Sequence, residues 1–116
     1  MISTASTSDT AITGYERSVT VEDTDLVRVS YVFSGSTATL GDAMRVNLYR
    51  DSTKVLDRQI RGWRNNTGGF DFNVIGLYEA VPGAGTYNYN LQWSSSGATI
   101  YSYFRSLIVE VLSQVS

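Results

Sequence analysis

Apolar and polar residues alternate with a period of two along most of this chain, and this alternation restricts its fold more than any other feature. In the segment 86–93 every second residue is large and apolar: Tyr87, Tyr89, Leu91 and Trp93. The segment 26–33 repeats the pattern. Successive side chains of a β-strand point to opposite faces, so each segment predicts a strand with one buried face. No segment shows the period of an amphipathic helix. The pattern therefore predicts an all-β protein.

Turn residues divide the alternating segments into short strands. The strongest turn signal is the Pro-Gly-Ala-Gly sequence at 82–85, and polar turns are also expected at 51–53 and 94–97. The resulting spacing of roughly 8 to 14 residues predicts about eight antiparallel strands in a β-sandwich. Within this pattern we expect a bulge at Ile75-Gly76 and a kink near Arg105-Ser106 that separates the last two strands.

The length of 116 residues fits a single sandwich domain, which we place at residues 11–116. An immunoglobulin-like topology is less favoured because the chain has no Cys-Trp-Cys framework, so we predict a jelly roll. Residues 1–10 are rich in Ser and Thr and contain almost no large apolar group. We expect them to form a flexible N-terminal arm, either as a frayed terminus or as an arm that orders against a neighbouring subunit.

The chain contains no histidine and no cysteine. It therefore has neither the usual general base of enzymes near neutral pH nor a thiol nucleophile, and both Ser-His-Asp and Cys-His machinery are excluded. The commonest zinc ligands and iron–sulfur ligands are also missing. We predict a protein that is not an enzyme, with no catalytic residue, no cofactor and no metal.

The charge balance and the N-terminal sequence exclude further classes of partner. A formal net charge of −2 gives no basic face for neutralising phosphates, so nucleic acid is not an expected partner. The N-terminus lacks the basic and apolar regions of a signal peptide, and no apolar run has the roughly 20 residues of a membrane helix. We expect synthesis in the cytoplasm and no membrane partner.

Three acidic residues cluster in the turn after the first predicted strand. Glu22, Asp23 and Asp25 carry the carboxylate oxygens that Ca²⁺ prefers, but their spacing matches no EF-hand loop. Aspartate is also an ordinary turn residue. We interpret the cluster as a turn.

One predicted loop combines an aromatic side chain with guanidinium and amide groups. The residues are Arg61, Trp63, Arg64, Asn65 and Asn66. Trp and Arg are enriched at the positions that dominate protein interfaces, and the same groups can stack on a sugar and bind its hydroxyls. Three alternatives stay open: a tryptophan that caps the end of the sandwich, a protein interface, or a sugar-binding loop.

The C-terminal strands carry aromatic residues on both faces. Phe104 belongs to one set of alternating positions, whereas Tyr101 and Tyr103 belong to the other. Most of these side chains are expected in the core or in cross-strand pairs. Where both faces of a strand are apolar, one of them must contact something other than water. Tyr101 and Tyr103 are therefore candidate interface residues, and the pattern predicts an oligomer.

The last 35 or so residues contain three recognisable motifs: a Pro-Gly-x-Gly-Thr-Tyr-x-Tyr-x-Leu-x-Trp run at 82–93, Gly-Ala-Thr-Ile at 97–100 and Arg-Ser-Leu-Ile-Val-Glu at 105–110. With these motifs the segment resembles the closing strands of small β-sandwich proteins of tailed-phage virions. The run at 82–93 also resembles, more distantly, a strand of C1q/TNF-type jelly rolls, although the chain has no collagen stalk.

This resemblance implies a structural role in a virion. One expectation is a capsid decoration, or cement, protein that binds the major capsid protein or another virion protein and stabilises the shell as a homotrimer. The alternative is the receptor- or carbohydrate-binding head of a tail fibre, with a surface glycan as its partner. Neither kind of protein has catalytic residues to carry over.

Overall fold

The computed structural model describes residues 2–37, 43–61, 63–64, 70–97 and 99–113, and within these ranges the chain forms ten β-strands and no helix. The strands are β1 (Ile2–Thr4), β2 (Thr10–Val21), β3 (Leu26–Thr37), β4 (Ala43–Arg50), β5 (Thr53–Leu56), β6 (Gln59–Arg61), β7 (Trp63–Arg64), β8 (Phe70–Ala80), β9 (Gly85–Ser95) and β10 (Ile100–Leu112).

The strands form two antiparallel sheets. Sheet A has the order β1-β10-β3-β8-β7, and sheet B has the order β2-β9-β4-β5, with β6 also paired to β4. The chain crosses from one sheet to the other after β1, β2, β3, β6, β8 and β9. The first strand, β1, pairs with the last, β10, in sheet A, and the second strand, β2, pairs with the second-last, β9, in sheet B. This order is that of a jelly roll. The predicted all-β antiparallel sandwich is confirmed.

Short strands β1 and β7 lie in the predicted arm and loop, and the strand count differs from the sequence-based prediction in two further places. One strand was expected over 54–61, but two short strands, β5 and β6, both pair with β4. Two strands were expected at the C-terminus, but β10 is continuous from Ile100 to Leu112. Asn47 explains the first difference, because its side-chain carbonyl accepts a hydrogen bond of 3.0 Å from the backbone N–H of Arg58, between β5 and β6.

The core lies between the two sheets and is built from the inward positions of the predicted alternation. Phe33 of sheet A packs against Trp93 of sheet B with ring centroids 5.3 Å apart. Tyr31 crosses the core, and its hydroxyl donates a hydrogen bond of 2.8 Å to the carbonyl of Val46. Each such buried side chain contributes about 1.5–3 kcal/mol to folding by leaving water.

The first ten residues follow a more ordered path than the predicted arm. Residues 2–4 pair as β1 with Ile100–Ser102 of β10 in the same chain, and the backbone N–H of Ser95 donates to the carbonyl of Ser6 at 2.7 Å. The segment lacks a strong apolar pattern because the pairing of β1 rests on the backbone groups of strand β10 and on one half-buried apolar side chain, Ile2.

Among the described residues, sheet A contains one bulge, and it lies elsewhere than the sequence predicts. The pairing of β8 with β3 runs without a register shift from Val27 opposite Ala80 to Thr37 opposite Phe70, so no bulge occurs at Ile75-Gly76. The shift lies instead in β10, between Ser102 and Phe104. There Gly35 of β3 approaches the carbonyl of Tyr101 so closely that a Cβ atom has no room.

Candidate functional site: the outer face of sheet A

Five large apolar side chains lie on the outside of sheet A, and we call this group the apolar face: Val32, Ile75, Leu77, Phe104 and Ile108. Ile75 is 67% exposed, Phe104 59%, Leu77 57% and Ile108 53%, and Val32 is half-buried between them. The outer face of a solvated antiparallel sheet is normally polar. A contiguous apolar surface of this kind marks a contact site.

The strand register places large side chains next to small ones across the apolar face. In one row, Ser30 of β3 lies between Ile108 and Leu77, and in the next row Val32 lies between Ser106 and Ile75. Ser30 is smaller than both of its neighbours, and Ser106 is smaller than the neighbouring Val32. Alternation of large and small residues allows a second surface to interdigitate with the sheet, as in the packing of two sheets.

The outer face of sheet B has the opposite character. Asn88, Asn90 and Gln92 of β9 form a chain of side-chain hydrogen bonds, with Asn90 donating to Asn88 at 2.9 Å and Gln92 donating to Asn90 at 3.1 Å. The hydroxyls of Thr20 and Thr86 are 2.9 Å apart on the same sheet. This face satisfies its polar groups internally and in water, so the apolar character is specific to sheet A.

Charged residues border the apolar face at one end. Nε of Arg28 lies 2.8 Å from Oε1 of Glu79, and Glu110 is the partner of Arg28 on the other neighbouring strand. The arginine is therefore neutralised by acidic neighbours. This end of the face carries no surplus of positive charge for a phosphate group.

We expect the Arg28–Glu79 pair to add little to stability, because its side chains are 40% and 42% exposed and water screens their attraction. A double-mutant cycle with Arg28→Ala and Glu79→Ala, measured by urea unfolding, should give a coupling free energy of at most about 1 kcal/mol. A coupling several times larger would show that the pair organises the end of the sheet.

A second polar cluster tethers the N-terminal segment to sheet B. Asn47 donates hydrogen bonds of 3.2 and 3.0 Å to the two carboxylate oxygens of Asp9, the hydroxyl of Tyr49 donates to Oδ2, and Nζ of Lys54 lies 3.5 Å from Oδ2. Burial alone would raise the pKa of Asp9, but hydrogen bonds from Tyr49, Asn47 and Ser94 and the charge of Lys54 outweigh it and hold this pKa below its ordinary value. Burial and the carboxylate raise the pKa of Tyr49 to about 12.

The acidic turn is occupied by backbone contacts. Oδ2 of Asp25 accepts a hydrogen bond of 2.9 Å from the backbone N–H of Glu22, and Oδ1 of Asp23 accepts one of 3.2 Å from the N–H of Ala84. These carboxylates act as turn caps, which agrees with the interpretation from sequence. Within the ranges that the structure describes, no group of three or more Asp or Glu side chains is arranged to hold a metal ion.

A shallow groove separates the edges of the two sheets at β1 and β2. Its volume is about 230 Å³, with Ile2, Ile12 and Trp93 as apolar lining and the hydroxyl-bearing Thr4 and Thr10 beside them. The polar groups of its lining residues are hydroxyls, backbone groups and the indole N–H of Trp93. The groove has no charged side chain that would select a ligand.

The structure places the two predicted tyrosines next to the apolar face. Tyr101 pairs with Ser36 and Ser3 on the outer side of sheet A and is half-buried, and Tyr103 is 61% exposed at the bulge of β10. Arg61, Trp63 and Arg64 lie in the short strands β6 and β7, and the structure describes only their backbone. Asn65 and Asn66 lie outside the described residues, so the predicted contact loop stays a prediction.

Val32, Ile75, Leu77 and Ile108 were not identified from sequence. The signal was present in β8, because uninterrupted alternation from the buried Val74 places Ile75 and Leu77 on the outside. The expected bulge at Ile75-Gly76 concealed this by moving Leu77 to the inner face.

No protein-family model matches the chain, and its sequence matches no curated protein significantly. Among the described residues, no helix is long and apolar enough to cross a membrane.

Proposed function

We propose that this chain is a non-enzymatic structural protein that binds a protein surface through the apolar face of sheet A. In this proposal it is a decoration protein on the capsid of a tailed phage, and it assembles as a homo-oligomer. The observation that carries the proposal is the exposure of Ile75, Leu77, Phe104 and Ile108 on one side of one sheet. The resemblance of the closing strands to virion sandwich proteins supplies the setting.

The chemistry of the apolar face favours a protein partner with apolar side chains. The centre of the face is uncharged, and Arg28 at its border is paired with Glu79. A polyanion such as nucleic acid needs clustered basic residues, which this border lacks. Exposed aliphatic and aromatic side chains gain free energy by leaving water at a complementary protein surface.

The proposal is tested by adding the purified chain to phage particles that lack it and measuring how much sediments with the particles. We expect the unmodified chain to bind and a Phe104→Ser/Ile108→Ser variant to bind at least about tenfold more weakly, since central apolar residues dominate interfaces. Val81→Ser is the matched control, because Val81 is 50% exposed but lies beyond the end of β8.

The outcomes separate the two parts of the proposal. Equal binding of the Phe104→Ser/Ile108→Ser variant and the control would remove the apolar face from the contact. Absence of binding to any particle would overturn the virion setting. Antibody labelling viewed by electron microscopy adds the location: label spread over the head supports decoration, whereas label confined to the tail tip contradicts it.

A further inference from the structure

Strand β8 lies near one end of sheet A and offers a long edge for pairing. One side of β8 pairs with β3 along all eleven residues, whereas β7 pairs with the other side only at Phe70 and Asp71. Within the part of the chain that the structure describes, the backbone groups of residues 72–80 pair with no strand on that side, although β5 and β6 of sheet B come close to β8. Such an edge is a template for another strand.

The other outer strands carry features that discourage strand addition, and β8 does not. Strand β1 has three residues, and β5 has four and includes Lys54. Strand β2 is interrupted between Ala11 and Glu16. Short length, edge lysines and bulges are the devices by which natural sheets prevent edge pairing.

Strand β10 is protected as well. It has a bulge at Ser102 and Phe104, and it turns Arg105 inward, where the guanidinium lies 5.5 Å from the ring centroid of Tyr15. Strand β8, in contrast, keeps an unbroken register with β3, and its residues 72–80 contain no Lys, Arg or Pro. Its one charge in that stretch, Glu79, is paired with Arg28.

We infer that two copies of this chain pair through β8, antiparallel and about a two-fold axis at Gly76, so that sheet A continues from one copy into the next. A strand pairs with itself about a two-fold axis only when its sequence is self-complementary in that register. Centred on Gly76, Ile75 lies opposite Leu77 of the second copy on the outer face, and Val74 lies opposite Tyr78 on the inner face. Glu79 lies opposite Asn73, so no like charges meet.

This pairing joins the apolar faces of the two copies into one surface on the same side of the extended sheet. The alternation of β8 places Ile75 and Leu77 at the seam, where each is covered in part by its counterpart. The inference concerns contacts between copies and does not depend on the capsid setting. It differs from the homotrimer that the resemblance implies, because antiparallel self-pairing is two-fold.

The mass of the purified chain in solution, measured by sedimentation equilibrium, tests the inference. We expect twice the mass of one chain for the unmodified protein and for Phe104→Lys, which adds the same charge to the apolar face but away from β8. Ile75→Lys should reduce the mass twofold, to a single chain. Circular dichroism should show that Ile75→Lys remains folded, since its side chain is on the surface.

Cross-linking tests the register, and the absence of native cysteine makes it specific. An Ile75→Cys chain mixed with a Leu77→Cys chain should form a disulfide-linked pair on mild oxidation. Each variant alone should cross-link at least about tenfold less, because only directly opposite Cβ atoms come within disulfide distance. A trimeric or monomeric mass, an unchanged mass for Ile75→Lys, or equal cross-linking in all samples would overturn the inference. Loss of particle binding by the Phe104→Ser/Ile108→Ser variant would not affect it.

Discussion

Gly76→Ala is expected to lower the free energy of unfolding by about 2–4 kcal/mol, because the added methyl group has no room beside the ring of Tyr31. Gly76 is buried directly opposite Tyr31 on the neighbouring strand, and a Cβ atom at this position would overlap the ring edge and the hydroxyl of Tyr31. The ring cannot turn aside without breaking the hydrogen bond of 2.8 Å from its hydroxyl to the carbonyl of Val46. Urea unfolding at neutral pH measures the change.

A double substitution tests whether the ring of Tyr31 causes this loss of stability. Tyr31→Leu alone should also destabilise the protein, since it removes the hydrogen bond and part of the core. In the Tyr31→Leu background, however, Gly76→Ala should cost at least about 1 kcal/mol less than in the unmodified chain, because the two changes share one space. An equal cost in both backgrounds would contradict the steric account. Ser30→Ala, on the outer face of β3, serves as the neutral control.

The sequence was sufficient to predict the strands whose two faces differ in polarity. In β9, Tyr89 and Leu91 are fully buried, and Asn88 and Asn90 bond to each other outside, as the alternation predicts. A slip of one residue would bury both asparagines, so the local pattern alone determines the orientation of this strand. The all-β sandwich class follows from several such strands.

The irregular features could not be predicted, because they depend on contacts between distant residues. Gly76 was interpreted as a bulge, which is a frequent role of a glycine within a strand. Its actual role is to accommodate Tyr31, which is 45 positions earlier in the sequence. The bulge in β10 likewise depends on the approach of Gly35 to the carbonyl of Tyr101, and no local pattern reveals which strands will be neighbours.

The full extent of the candidate site also depends on contacts between distant residues, so the sequence predicts only part of it. The two-sided apolar pattern predicts an interface at Tyr101 and Tyr103, which stays a prediction; the structure shows that Tyr103 and Phe104 of β10 are more than half exposed. Ile75 and Leu77 belong to the apolar face only because β8 pairs with β3. Strand β3 lies between β10 and β8, so that Val32 of β3 separates the residues of the other two strands. Sequence order separates these residues, and sheet order brings them together.

Asp9→Asn is expected to lower the free energy of unfolding by about 1–3 kcal/mol at neutral pH, because it removes the charge from hydrogen bonds that are otherwise charge-assisted. The partners of this carboxylate are the fully buried amide of Asn47, the hydroxyl of Tyr49 and the ammonium of Lys54. No role of Asp9 is predicted from the sequence, because Asp9 lies in the segment interpreted as an arm. The prediction therefore tests whether the N-terminal segment is part of the folded domain.

The pH dependence provides a second readout with a defined sign. The pKa of Asp9 in the folded protein lies below its ordinary value of 3.8, so its contribution is present above that value and is lost as the pH falls through the folded pKa. The difference between Asp9→Asn and the unmodified chain should therefore shrink when unfolding is measured below pH 3.8. Asp57→Asn is the matched control, because the carboxylate of Asp57 lies 3.8 Å from the same Lys54 ammonium. The Asp57 side chain is 62% exposed, so water screens this attraction and its removal should change stability little. If the two variants were equally stable at neutral pH, the Asp9 tether would contribute nothing, and the N-terminal segment would be held by the pairing of β1 with β10 and the hydrogen bond from Ser95 to Ser6.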